Sequence, residues 1–294
     1  MNRSWFGIFL FFLMISTHSV KEVYCLDLDV QFEPTAHEIV TAMIEIARVN
    51  ENDIVYDLGC GDGRIVIAAA QRGAKGIGID IDPQRIAESQ ENARKENVSD
   101  KVKFIQQDLF DAHISDASVI MLYLLPSVNL ALRPKILKEV LPGTRVVSHS
   151  HNMGEWEPDI STKVSSKEPY YYYPHTVFFW VVPANVSGSW KWTLPINNEE
   201  KKFEMEVQQK FQRVNGVLTI DNMTILIQDM ILTGDRLRFS SECMVNNEFV
   251  PVYFEGHVKE HIISGSVISG NGLLKKNHEW HATRDPSTVR LLDQ

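Results

Sequence analysis

The sequence predicts an α/β fold with a doubly wound, mostly parallel sheet of seven strands, followed by a smaller antiparallel all-β domain. Up to Pro183, short apolar runs alternate with segments of helical periodicity, a pattern typical of a parallel sheet covered by helices. After Pro183 the apolar runs are separated by turn residues, and no segment has the periodicity of a long helix. We therefore expect an N-terminal segment at 1–25, an α/β domain at 26–184 and a β domain at 185–294.

Five apolar runs in the α/β domain are predicted to be parallel strands. The run at 118–125 is apolar throughout, which fits a strand that is covered on both faces. Between His149 and Thr176 we expect a loop with one irregular antiparallel strand, and the last strand follows at 177–182. The five parallel strands are predicted at 54–56, 77–80, 102–107, 118–125 and 145–149.

Two polar patterns mark the starts of helices. Thr35 and Glu38 have the spacing of a capping box, in which hydroxyl and carboxylate satisfy orphan amides before the apolar-periodic run at 39–47. Asp82 is the expected N-cap of a second helix, because Pro83 occupies its first turn. The first of these helices precedes the first strand, and the second follows the second strand.

The β domain is read from short strand-like runs with turn residues between them. An antiparallel meander is the economical interpretation, as a half-barrel or a small lipocalin-like barrel. No spacing of metal ligands is present, so we predict no metal site. The turns are expected at Asn215-Gly216, Gly234-Asp235, Asn246-Asn247, Ser264-Gly265 and Asn271-Gly272.

Three glycines at alternate positions, Gly59, Gly61 and Gly63, lie between the first strand and a helix that begins near Arg64. A strand, a glycine loop and a helix N-terminus together cradle a nucleotide-like ligand. Glycine lets the backbone turn sharply and approach the ligand, because it has no Cβ. The spacing differs from the G-x-G-x-x-G of dinucleotide sites, where the third glycine would stand at the position of Arg64.

Two acids, Asp57 and Asp62, flank these glycines. Two carboxylates beside a pyrophosphate would repel it, whereas a ligand with positive charge suits them. S-adenosylmethionine fits this requirement, because it carries an ammonium, a sulfonium and one carboxylate, and no phosphate.

The segment Asp57-Leu-Gly-Cys-Gly-Asp-Gly63 resembles the D/E-x-G-x-G-x-G motif of class I S-adenosylmethionine-dependent methyltransferases, which have a Rossmann-like fold, and the resemblance runs from about Pro34 to Pro183. In that family one acid at a strand end binds the ribose hydroxyls, and a later acid contacts the adenine amino group. Asp80 and Asp108 match these positions. The resemblance implies a cofactor site formed by Asp57, Gly59, Cys60, Gly61, Asp62, Gly63, Asp80, Ile81, Asp108 and Leu109.

Residues for the acceptor side are expected at the ends of the fourth and fifth strands. Methyl transfer from a sulfonium needs mainly in-line positioning, and a lysine nucleophile must first lose a proton. Tyr123 and His149 are the catalytic candidates, with His151 close in sequence. However, Tyr-Leu-Leu-Pro126 departs from the Asn/Asp-Pro-Pro-Tyr form that class I enzymes use for amino groups, so a core tyrosine is the alternative. The tyrosines at 170–173 are candidates for the rim of a substrate site, or for packing.

Within class I, the segments at 34–35, 57–65 and 142–145 are similar to lysine methyltransferases that modify the c subunit of ATP synthase. That family more usually has Ser at the position of Cys60 and Glu at that of Asp80, and the added β domain is a further difference. The resemblance implies a protein lysine as methyl acceptor, with a small molecule or lipid left open. An exported ligand-binding protein with an inert methyltransferase-like domain and a nicotinamide-dependent dehydrogenase are the alternatives.

Charge and the N-terminal segment limit the partners and the location. A net charge of −9 and a pI near 5.6 argue against nucleic acid as the main partner. The apolar run at 5–15 follows Arg3 and has the length of a signal-peptide core, with an uncleaved membrane anchor as the alternative. We expect export or membrane association from this run, whereas the cytosolic supply of the cofactor favours a cytoplasmic location.

Overall fold

A computed structural model describes residues 32–169, 171–196, 199–245, 248–269 and 278–292. The expected leader at 1–25, Tyr170, and the turns predicted at Asn246-Asn247 and Asn271-Gly272 lie outside these ranges. Among the helices within the ranges, none combines the length and the apolar character that crossing a bilayer requires.

The first part of the chain forms one seven-stranded sheet, made of β1 (Ile54–Leu58), β2 (Lys75–Asp80), β3 (Val102–Gln106), β4 (Val119–Leu122), β5 (Arg145–His149), β6 (Ile160–Val164) and β7 (His175–Val181). The strands lie in the order β3-β2-β1-β4-β5-β7-β6. The first five are parallel, β7 is antiparallel to β5, and β6 is antiparallel to β7. The predicted mostly parallel α/β sheet is confirmed.

Helices cover both faces of this sheet, and they are α1 (His37–Ile46), α2 (Arg64–Gln71), α3 (Pro83–Lys95) and α4 (Pro126–Glu139). The apolar residues of α1 and α2 pack with Val55, Val119 and Val147 of the sheet. Residues of α4 pack with Leu58 and Ile120, which point to the opposite face because neighbouring strand residues alternate. The carboxyl ends of the parallel strands therefore remain free of helix packing.

The first helix is present, but its predicted capping box is wrong. α1 begins after Ala36 without a side-chain cap. The Thr35 hydroxyl lies 3.3 Å from Nδ1 of His149, and the Glu38 carboxylate accepts a hydrogen bond from the Ser166 hydroxyl at 2.7 Å. Both side chains thus bind distant segments, because the chain leading into α1 lies against β5 and the loop after β6. The predicted cap at Asp82 is confirmed, since its carboxylate accepts the Gln84 amide at 2.8 Å.

The second part of the chain forms a nine-stranded antiparallel sheet, made of β8 (Gly188–Ile196), β9 (Glu199–Lys210), β10 (Arg213–Ile220), β11 (Met223–Leu226), β12 (Gln228–Thr233), β13 (Arg236–Val245), β14 (Glu248–Lys259), β15 (Ile262–Ser269) and β16 (His278–Arg284). The strands lie in the order β11-β10-β9-β8-β16-β15-β14-β13-β12. Sequential strands pair as a meander, and the first strand also pairs with the last, so the sheet curls around its own core. The predicted all-β domain is confirmed. Its core is aromatic and includes Trp190, Trp192, Phe203, Phe239, Phe254 and Trp280.

The turn between β9 and β10 fastens the second sheet to the first. Phe211 in this turn has a φ of +53° and is only 3% exposed, because its ring lies in the core of the first domain. The ring centroid is 6.1 Å from that of Trp156, and the Arg133 guanidinium carbon lies 5.3 Å from it. The next side chain, Gln212, donates to the Glu157 carbonyl at 2.6 Å.

The substitution Phe211→Ala should lower the free energy of unfolding by about 3 kcal/mol, because it removes a buried aromatic ring and leaves a cavity. Urea denaturation measures this change. Phe249→Ala is the matched control, since Phe249 on β14 is 60% exposed, and we expect its cost to stay below about 0.5 kcal/mol. Equal losses in the two variants would contradict the role of Phe211 between the domains.

Candidate active site

A cavity opens at the carboxyl ends of β1, β2 and β4, where open α/β sheets generally bind ligands. Its volume is about 940 Å³, with the open solvent at its mouth included. The glycine loop after β1 and the end of β2 form one wall. The turn after β3 forms the floor, and the residues before α1 together with Tyr123 form the opposite wall.

Most of the residues predicted for the cofactor site line this cavity. Gly63 is different: it lies at the N-cap of α2, where a Cβ would come within 2.8 Å of the Ser89 Cβ, so it serves helix packing. Asp108 is in the turn after β3, and its carboxylate accepts the Phe110 amide at 2.8 Å. The predicted residues that line the cavity are Asp57, Gly59, Cys60, Gly61, Asp62, Asp80, Ile81, Asp108, Leu109 and Tyr123.

The middle glycine of the loop has no room for a side chain. Gly61 has a φ of +52°, which favours glycine, and a Cβ on it would lie 2.3 Å from Cε2 of Phe32. Phe32 itself lines the cavity, and its ring lies 4.7 Å from the Arg85 guanidinium carbon. The loop is thus a close backbone cradle, and any side chain at Gly61 would displace the aromatic ring that faces it.

Asp80 holds this loop from the end of β2. One of its carboxylate oxygens accepts the Gly61 amide at 2.8 Å, and the other accepts the Asp82 amide at 3.0 Å. A carboxylate has about four acceptor positions, so Asp80 can accept two further hydrogen bonds from the cavity side. This arrangement fits a ribose with two neighbouring hydroxyls.

Arg64 neutralises one of the two acids beside the glycines. Its Nε and Nη2 donate to the Asp62 carboxylate at 3.0 and 2.6 Å, and its Nη1 donates to the Thr35 carbonyl at 2.7 Å. The expectation that Asp62 presents free negative charge to a ligand is therefore not supported. The same arginine ties the glycine loop to the segment before α1, which the motif alone does not indicate.

Asp57 is the second of these acids, and it is 2% exposed. Burial raises the pKa of its carboxyl well above the usual range, and the negative charges of Asp80 and Asp62 raise it further. The folded protein thus holds this proton more tightly than the unfolded chain does. A cation in the cavity would favour the ionised form.

This raised pKa makes the stability of the ligand-free protein depend on pH. The contribution of Asp57 to stability is greatest below its ordinary pKa and is lost as the pH rises through its raised folded-state pKa. Relative to wild type, Asp57→Asn should therefore gain unfolding free energy, on the order of 1 kcal/mol, between pH 5 and pH 9. Urea denaturation across this range tests the trend, with the exposed Asp100→Asn as control. A difference that stays constant with pH would refute it.

The acceptor side of the cavity is formed by Glu33, Pro34 and Tyr123. Burial raises the pKa of the Tyr123 phenol, and the neighbouring Glu33 carboxylate raises it further. The Tyr123 ring lies on the His149 ring, with a centroid distance of 3.9 Å. Tyr123 therefore presents a neutral hydroxyl to the cavity, next to a carboxylate.

His149 lies behind Tyr123 and does not line the cavity. Its ring is fully buried, with Nε2 2.9 Å from Nδ1 of His175. Burial lowers the pKa of His149 to about 3, and His175 and His151 contribute to the shift. A neutral, enclosed imidazole cannot reach an acceptor, so the structure supports a positioning role for His149 in place of the predicted catalytic one.

Phe32, Glu33 and Arg64 are cavity residues that sequence reasoning missed. The first two belong to no motif, and their only signal is their place directly before Pro34, in the segment that the resembling family lays over the cofactor. Within the described ranges, no group of three His, Cys, Asp or Glu side chains has the geometry of a metal site.

The family model of the ANTKMT methyltransferase domain matches residues 57–160, from β1 to the start of β6. A protein-lysine N-methyltransferase of Saccharolobus islandicus (strain REY15A) is 41% identical over 155 residues, which are 52% of this chain and 94% of that protein. The lysine N-methyltransferase of Homo sapiens that is named for the c-type subunit of ATP synthase is 30% identical over 128 residues, 44% of this chain and about half (54%) of that protein.

Solved structures also resemble this chain. A crystal structure described as an RNA methyltransferase from Salinibacter ruber in complex with S-adenosyl-L-homocysteine is 48% identical in sequence. The match covers 51% of this chain and 93% of that one, with a TM-score of 0.46.

Proposed function

Since this chain belongs to the S-adenosylmethionine-dependent methyltransferase family, we propose that it methylates the side-chain amine of a lysine in a protein substrate. The observation that carries this proposal is the pairing of Glu33 with Tyr123 at the acceptor side of the cavity. A carboxylate beside an aromatic ring attracts an ammonium group. The similarity to the archaeal protein-lysine N-methyltransferase supports the same acceptor. Neither a dehydrogenase nor an inert binding protein is favoured by this family.

The residues of the glycine-loop side fit the cofactor. We assign the ribose hydroxyls to Asp80 and the adenine amino group to Asp108, while Gly59 and Gly61 allow close backbone approach. Asp57 provides a buried carboxyl near the cationic end. When bound, S-adenosylmethionine supplies an electrophilic methyl group on a sulfonium.

The acceptor side prepares the nucleophile. A lysine enters as an ammonium, and it must lose a proton before its nitrogen lone pair is available. Glu33 is placed to attract the ammonium and to receive this proton at the cavity wall. Because its pKa is raised, Tyr123 stays protonated, so its hydroxyl orients the amine by hydrogen bonding without taking the proton.

Transfer of tritium from methyl-labelled S-adenosylmethionine to a cell extract tests this proposal. We expect the label in protein, released as methyllysine after acid hydrolysis and resistant to ribonuclease. Prior blocking of lysine amines in the extract by reductive methylation should remove the signal, and Asp80→Ala should remove it as well. Label confined to RNA, lipid or a small molecule would overturn the lysine assignment.

A further inference from the structure

Exposed apolar side chains surround the mouth of the active-site cavity. The described part of residues 32–184 carries eight large apolar side chains that are exposed, and only Leu130, Leu141 and Ile160 among them lie elsewhere. The other five are Phe32, Ile81, Leu125, Tyr172 and Tyr173, and we call these five the rim.

Two short-range relations place the first three rim residues. Phe32 and Ile81 line the cavity themselves, with exposed fractions of 40% and 37%. Leu125 directly follows Leu124, which lines the cavity and would contact any Cβ at Gly59. These side chains therefore face both the cavity and the solvent at its mouth.

Tyr171 places the two rim tyrosines. Its hydroxyl donates to the Pro34 carbonyl at 2.6 Å and accepts the Ala36 amide at 3.1 Å, which holds it against the segment that forms the acceptor wall. The two following residues, Tyr172 and Tyr173, are 82% and 80% exposed. Their rings contribute little to the core and are available to a partner.

Contiguous exposed apolar residues generally mark an interaction surface, and aromatic side chains dominate the binding energy of such surfaces. The rim encircles an opening that leads to Glu33, so its partner must insert a cationic side chain between its own contacts. An extended polypeptide segment does this, because its alternate side chains point in opposite directions.

We propose that the rim binds an extended segment of the substrate protein in which apolar or aromatic residues flank the target lysine. This rests on the proposed function and adds the sequence context of the lysine. The lysine reaches Glu33 and Tyr123 while its neighbours cover the rim. A lysine within a run of charged residues would leave the rim exposed to water and would lose this binding energy.

Three peptides of equal length test the inference, each with one central lysine and arginine at both ends. The lysine is flanked by leucine and phenylalanine in the first, by serine and glycine in the second, and by glutamate and arginine in the third. Tritium transfer should give the first peptide a kcat/KM roughly tenfold above the others, through a lower KM. If no peptide is a substrate, the flanks of methyllysines mapped in the extract by mass spectrometry carry the test.

The double variant Tyr172→Ser with Tyr173→Ser should lose this preference while keeping the wild-type affinity for S-adenosylmethionine. Leu141→Ser with Ile160→Ser is the matched control, since both residues are exposed outside the rim, and it should keep the preference. Equal methylation of all peptides, or polar flanks at the mapped sites, would overturn the inference and leave lysine methylation intact. Absence of methyllysine from peptides and extract alike would overturn the proposed function and, with it, this inference.

Discussion

Asp80→Ala is expected to weaken the binding of S-adenosylmethionine roughly 100-fold. The substitution removes the acceptor of the Gly61 and Asp82 amides, at 2.8 and 3.0 Å, and with it the anchor of the glycine loop. It also removes the partner assigned to both ribose hydroxyls. A hydrogen bond to a charged group contributes about 1.5–3 kcal/mol, so two of them account for about 3 kcal/mol, and about 1.4 kcal/mol corresponds to a factor of ten.

Isothermal titration calorimetry measures this loss. Asp100→Ala is the matched control, because Asp100 is exposed and distant in sequence from the site, and it should bind with wild-type affinity. Gly61→Arg provides a second approach, since any side chain at this position meets the Phe32 ring. Circular dichroism establishes that each variant is folded. Wild-type affinity in both Asp80→Ala and Gly61→Arg would refute the assignment of the glycine-loop side.

Glu33→Gln is expected to lower kcat/KM for a lysine acceptor roughly 100-fold, with the affinity for S-adenosylmethionine nearly unchanged. The amide keeps the size of the side chain but loses the negative charge that attracts the ammonium. It also cannot receive the proton, a step for which a positioned side chain typically contributes 10²–10⁴-fold. The residual rate should therefore increase with pH as more of the free amine forms in solution.

Steady-state kinetics between pH 6 and pH 10 with the apolar-flanked peptide, or with an acceptor identified from the extract, tests this expectation. Glu51→Gln is the control, because Glu51 is exposed in the turn before β1 and should keep wild-type kinetics. If Glu33→Gln weakened cofactor binding as much as turnover, Glu33 would belong to the cofactor side of the cavity.

The parallel sheet was predictable because its strands are buried on both faces, so that apolar runs mark them directly. β5 has the predicted bounds, Arg145–His149. β4 is shorter than predicted and ends at Leu122, since Tyr123 and Leu124 leave the sheet to line the cavity before α4 begins. Apolar character alone does not distinguish a strand residue from a cavity residue.

The residues of the glycine-loop side were predictable because the motif reflects local backbone requirements, as at Gly61. Glu33 and Arg64 were not predictable in this way, since their proximity depends on how the segment before α1 folds over the loop. The failure at His149 has the same origin. A histidine at a strand end is expected to face the site, but here the same segment encloses it behind Tyr123.

The seat of Phe211 also limits how the two domains can move. Its ring is surrounded by side chains of the first domain, so a hinge motion that separated the sheets would draw it into water at a cost of about 2 kcal/mol. Through Trp156, the same ring supports the loop that leaves the end of β5 beside the acceptor wall. The all-β domain is thus a buttress for the catalytic half of the molecule and not a freely swinging appendage.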